Sequence, residues 1–87
     1  DVSMLKDLLF LNCTDTGITD ISNLISLHYF TCKNTSISDV SMLKELFYLN
    51  CVNTNITDVS MLTILKKVKT SNPNIKVHPN TQMVLEQ

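Results

Sequence analysis

Apolar residues recur along this chain at steps of three, three and two, and the pattern then restarts. The first unit runs Leu5, Leu8, Leu11, Cys13, Thr16, Ile18, Ile21. The second runs Leu24, Leu27, Phe30, Cys32, Thr35, Ile37, Val40, and the third Leu43, Leu46, Leu49, Cys51, Thr54, Ile56, Val59. Asp1, Asp20, Asp39 and Asp58 open the phrases, so the period is 19 residues without insertion. Such self-similarity is the signature of a repeat architecture, in which each unit buries its apolar edge against its neighbours. The two-residue steps Leu11–Cys13, Phe30–Cys32 and Leu49–Cys51 predict short strands that turn those side chains inward. The remaining spacings bring the chain back around the same core. Asp-x-Ser opens each return stretch, where side-chain oxygens can accept hydrogen bonds from free backbone N–H groups. So short a unit has no room for a full outer helix, and short 3₁₀-like turns are expected there. Successive strands then lie parallel, about 4.8 Å apart, in one sheet.

The phrases Gly17-Ile18-Thr19-Asp20-Ile21-Ser22 and Asn55-Ile56-Thr57-Asp58-Val59-Ser60 resemble the N-x-I-T-D-I-S signature of internalin-like leucine-rich repeats. The resemblance covers roughly the first four-fifths of the chain and holds in several columns at once. It implies an α/β solenoid: a right-handed leucine-rich-repeat coil with a parallel sheet of short strands on its concave face and turns on its convex side. It also implies a partner protein bound on the concave face. Three features depart from the family. The unit is shorter than usual, as though one L-x-x triplet were missing. Thr16, Thr35 and Thr54 stand where Asn is usual, and cysteine fills the last strand column, as in cysteine-ladder variants. Similar short repeats rich in Asn, Ile and Lys occur in repeat-gene families of insect poxviruses and some protists.

The fourth unit changes character. Thr70 falls where Cys is due and Pro73 where Thr is due. Met61, Leu62, Ile64, Leu65 and Val68 fit helical spacing, which predicts a helix over 60–69 with Ser60 as N-cap and Lys66, Lys67 and Lys69 near its C-terminal dipole. Asn72-Pro73-Asn74 breaks that helix, and Ile75-Lys76-Val77 alternates as a last strand. The expected organisation is three 19-residue repeats over 1–57, a longer terminal repeat over 58–78, and a cap remnant or loose tail over 79–87. At the other end, Val2, Leu5, Leu8 and Leu11 would lack a covering coil. Terminal repeats normally need a polar cap. Either the array continues upstream, which is the expectation, or this end docks on another chain.

Composition narrows the function. The chain has 87 residues and a formal net charge of −1, without the basic face of a dedicated nucleic-acid binder. No apolar run is long enough to span a bilayer. Three cysteines leave at least one thiol free, which points to a reducing compartment. No C-x-x-C pair marks a metal site, and parallel side chains on adjacent strands make poor disulfide geometry. Cys13, Cys32 and Cys51 therefore read as a buried, reduced ladder. The Asp column lacks a D-x-D-x-D-G calcium loop and reads as turn capping, and the three threonines read as hydroxyls bonded to backbone. His28 and His78 are the only histidines, and His28 has no acidic residue at a telling spacing. Gly17 is the only glycine, so no phosphate-cradling loop exists. No cofactor and no catalytic residue are expected.

The candidate site is the outward face of the strands. Alternation places Phe10, Tyr29 and Tyr48 away from the core as an aromatic column. Beside it run Asn12, Thr31, Asn50 and Lys76, then Thr14, Lys33, Val52 and His78. Two readings stand. Tyrosine is favoured at interface hot spots, and an aromatic stripe is unusual on a lone monomer. Equally, duplication can copy an aromatic that only packs along its own column. The functional expectation is a non-catalytic protein-interaction module. The alternative is a structural or assembly element that associates end to end through its uncapped first repeat.

Overall fold

The structure is a computed structural model that describes residues 8–86. Each coil contributes one short strand: β1 Phe10–Asn12, β2 Tyr29–Thr31, β3 Tyr48–Asn50, β4 Lys67–Thr70 and β5 Gln82–Leu85. Among the described residues they form one sheet in chain order, parallel at every step. Leu11 pairs with Phe30, Phe30 with Leu49, and Leu49 with Val68, a step of 19 each time. Val68 then pairs with Met83, a step of 15, so the last coil is shorter. The result is a parallel solenoid of about four turns, a slab of 33 × 24 × 16 Å.

The three-residue apolar spacing has a simple cause. The N–H of Leu24 donates to the carbonyl of Ile21 at 3.0 Å, and that of Leu27 to Leu24 at 3.3 Å. The same pair of turns recurs at Val40, Leu43 and Leu46, and again at Val59, Leu62 and Leu65. Each turn closes on the third residue, so one side chain in three returns to the core. The turns are separate and do not join into a continuous 3₁₀ helix. Asp20, Asp39 and Asp58 support them by accepting the N–H groups of Ser22, Ser41 and Ser60 at 2.9–3.0 Å. These bonds hold all three carboxyls below the ordinary carboxylate range. The Ser22 and Ser41 backbone bonds lead for the first two, and the Ser60 hydroxyl bond leads for Asp58.

The core is a stack of equivalent positions. Leu24, Leu43 and Leu62 are fully buried in one column, as are Leu27, Leu46 and Leu65 in the next. Phe30, Leu49 and Val68 lie under the sheet, followed by Cys32, Cys51 and Thr70. Val2 and Leu5, assigned above to an uncovered first coil, lie outside the described residues. Leu8 and Leu11 are half-buried and pack on the core.

Three expectations for the fourth unit are corrected. No helix forms among the described residues, and Lys67–Thr70 is strand β4 instead. The buried residues there are Val59, Leu62, Leu65 and Val68, a strict step of three, while Ile64 is exposed and Met61 half-buried. The period of the earlier coils therefore prevails over a partial 3.6-residue fit. Ile75–Val77 is not the last strand of the sheet. With β4 in place, that segment falls at the phase of Ile56–Asp58, where Lys76 bridges Asp58 and exchanges backbone bonds with Thr57 and Val59. The last strand is β5, in a segment the sequence had suggested was a cap remnant or tail. The Thr81 hydroxyl anchors it to the Leu65 carbonyl at 2.8 Å.

Candidate functional site

Sheet register decides which side chains share the outward face. Phe10, Tyr29 and Tyr48 are direct partners, and Lys67 and Gln82 continue their column. Phe10 is 63% exposed and Tyr29 43%, while Tyr48 is half-buried. The Phe10 and Tyr29 rings stack face to face, with centroids 4.7 Å apart and planes 1° from parallel. Part of the aromatic column therefore does pack on itself, yet it remains open to solvent.

The next column is Asn12, Thr31 and Asn50, and it ends in Lys69 and Val84. Lys76, assigned to this column above, sits on the other side of the coil beside Asp58. The misplacement follows directly from the helix expected over 60–69, which displaced the last strand. The Oδ1 atoms of Asn12 and Asn50 accept the N–H groups of Thr14 and Val52, at 3.0 and 3.4 Å. Thr14 and Lys33 are half-buried just past the strand ends, Val52 is buried, and His78 lies elsewhere, with Nδ1 accepting the Asn80 N–H.

A further column lies at the corner leading into each strand. The N–H of His28 donates to the Leu9 carbonyl, that of Phe47 to His28, and that of Lys66 to Phe47, each at 2.8 Å. The His28 and Phe47 rings meet at 4.9 Å, and Leu9 and Phe47 are exposed. His28 Nε2 also lies 3.9 Å from Glu45. Spacing along the sequence missed that neighbour because it comes from the adjoining coil.

The cysteines stack in the core as free thiols. Burial pushes the Cys51 thiol up to about 11 and Cys32 further still, and it raises Cys13 as well. Cys51 Sγ donates to the Lys69 carbonyl at 3.3 Å. The hydroxyls of Thr16, Thr35 and Thr54 donate to the carbonyls of Cys13, Cys32 and Cys51 at 2.6–2.8 Å.

One column escaped the sequence reading. Asp15, Asn34 and Asn53 adopt left-handed backbone with φ of 62°, 58° and 58°. Their side chains form a ladder: Asn53 donates to Asn34 at 2.9 Å, and Asn34 to Asp15 at 2.7 Å. Asp or Asn directly before each repeat threonine was the available signal, since these residues tolerate that conformation best after glycine.

Stacked coils, a parallel sheet on one side and a column of buried cysteines define this fold, and a solved structure is similar to it. The functional domain of InlJ from Listeria monocytogenes, described as including a cysteine ladder, superposes over 99% of this chain at a TM-score of 0.52 and 20% identity. The chain folds as an internalin-like leucine-rich repeat. It spans 31% of the length of that InlJ chain. No family profile and no curated protein sequence matched it. Among the described residues, no helix is long and apolar enough to cross a membrane, and no three His, Cys, Asp or Glu side chains gather to hold a metal.

Proposed function

We propose that this chain is a non-catalytic module that binds a partner protein on the outward face of its parallel sheet. The contacts assigned to it are Phe10, Tyr29 and Tyr48, flanked by Asn12, Thr31, Asn50 and Lys33. Lys76, on the opposite side of the coil, drops out of the set. The observation that carries this reading is the exposure of Phe10 and Tyr29 on a face that the core does not use. Large, stiff aromatic side chains gain contact area while losing little rotamer freedom. A sheet pinned by side-chain ladders is already ordered, so little entropy is lost when it binds. The leucine-rich-repeat fold itself favours protein partners.

The test is affinity capture from host-cell lysate with the wild type and with a Phe10→Ala, Tyr29→Ala, Tyr48→Ala variant checked for intact folding. A partner held by the wild type and lost by the variant supports the reading. Capture that is identical for both contradicts it.

A second reading, end-to-end assembly, has one observation in its favour. Met83 and Leu85 occupy the columns of buried Val68 and Thr70, yet they are 39% and 48% exposed on edge strand β5. Exposed apolar side chains on the last strand of the described sheet can add another strand. A mass that grows with concentration, and that Met83→Lys reduces to a monomer, supports assembly; a strict monomer counts against it.

A further inference from the structure

The outward face and the corner column beside it change character along the coil axis. On the first three coils, adjacent columns carry Leu9, His28 and Phe47, then Phe10, Tyr29 and Tyr48, then Asn12, Thr31 and Asn50. On the fourth coil the same three columns carry Lys66, Lys67 and Lys69. Among the described residues, Lys69 lies 3.6 Å from Glu86, whereas Lys66 and Lys67 have no carboxylate at ion-pair distance. An aromatic panel therefore abuts two cations at the start of β4, Lys66 at the corner and Lys67 on the strand, that have no carboxylate partner among the described residues.

We infer that this face takes an acidic segment of a partner protein, with an apolar side chain on the Phe10–Tyr29–Tyr48 panel and one or more carboxylates at Lys66 and Lys67. The inference rests on the binding-face reading above and adds the chemistry of the partner. Strands are about 4.8 Å apart, so the backbone at Lys67 lies roughly 5 to 14 Å from that of Tyr48, Tyr29 and Phe10, a reach of about two to four extended residues. Complementary charge fixes the direction in which such a segment lies and raises its rate of encounter. A nucleic-acid strand also offers negative charge. But the chain carries a net charge of −1 and supplies no wider field to hold a polyanion. The aromatic panel and the paired lysines together fit an apolar-acidic peptide better.

The experiment is selection from a displayed library of random peptides about twelve residues long. The baits are the whole chain, a Lys66→Glu, Lys67→Glu variant and the triple alanine variant, each checked by its melting transition. The wild type is expected to enrich peptides with Asp or Glu within about four residues of an aromatic or large aliphatic residue. The charge-reversed variant is expected to enrich Lys or Arg there instead. A wild-type-selected peptide should weaken about tenfold or more on charge reversal, and also when salt is raised from about 50 to about 500 mM. Peptides that need the aromatic panel but carry no acidic bias overturn the inference and leave the binding face standing. Failure to enrich any peptide, or equal binding to the triple alanine variant, overturns the binding face and the inference with it. A single-stranded oligonucleotide that binds as tightly and competes through Lys66 and Lys67 replaces the acidic peptide with a polyanion.

Discussion

At the residue scale, the cysteine ladder has the clearest consequences. Cys32 and Cys51 are buried with thiol pKa values raised, chiefly by loss of solvation. A thiol whose folded value lies above its unfolded value is held neutral by folding. Its stabilising contribution is complete below the unfolded value, about 8.5, and is lost as pH rises from there toward the folded value. Each such thiol lowers stability by up to about 1.4 kcal/mol per pH unit in that window. Urea unfolding between about pH 8 and pH 10.5 should therefore show a falling midpoint, with a shallower fall in Cys32→Ala. Equal slopes in the two proteins would remove burial of the thiol as the cause. The same burial predicts thiols slow to alkylate until the chain unfolds.

At the element scale, the turns are where the chain is most sensitive to single polar residues. Asn34 holds left-handed backbone and both donates to and accepts from the ladder. Asn34→Ala loses both bonds and adds backbone strain, at a cost of about 1–2 kcal/mol or more. Asn34→Gly loses the bonds but relieves the strain and should cost less. Unfolding midpoints of the two variants check the order, and an alanine variant as stable as the glycine variant would contradict it. Asp20, Asp39 and Asp58 act in the opposite pH range from the thiols. Their folded values are lowered, so the stability they add is present above the ordinary carboxylate value, about 3.9, and is lost as pH falls through the folded values. Changing all three to Asn keeps an Oδ1 acceptor in each turn and should flatten the acid-side loss; an unchanged acid profile would assign that loss to other groups.

These turns also explain what the sequence could and could not reveal. The columns of Leu24, Phe30 and Cys32 and their equivalents were legible because three copies repeat in phase. The fourth coil was not, because Met61 and Ile64 add apolar residues that fit a helix, and only stacking on Leu43 and Leu46 selects Leu62 and Leu65. A helix over 60–69 displaces the last strand, and with it Lys76. The outward column of Phe10, Tyr29 and Tyr48 followed from alternation alone, whereas its continuation into Lys67 depended on finding β4.

In the whole molecule, the two faces of each strand are assigned different work. The inner face holds the coils together, and Phe30 is its largest fully buried side chain. The outer face carries only local contacts among the described residues, such as the Phe10–Tyr29 stack, the His28–Phe47 contact and the Asn12 and Asn50 bonds to backbone, and it is the face assigned to a partner. The most direct test of this division compares urea unfolding of Phe30→Ala with that of the Phe10→Ala, Tyr29→Ala, Tyr48→Ala variant. Removing Phe30 alone should cost about 3–5 kcal/mol with its cavity. The outer triple variant should lose little beyond the ring stack, about 0.5–1.5 kcal/mol. A triple variant destabilised as much as Phe30→Ala would make the aromatic column part of the scaffold and contradict its assignment to a partner.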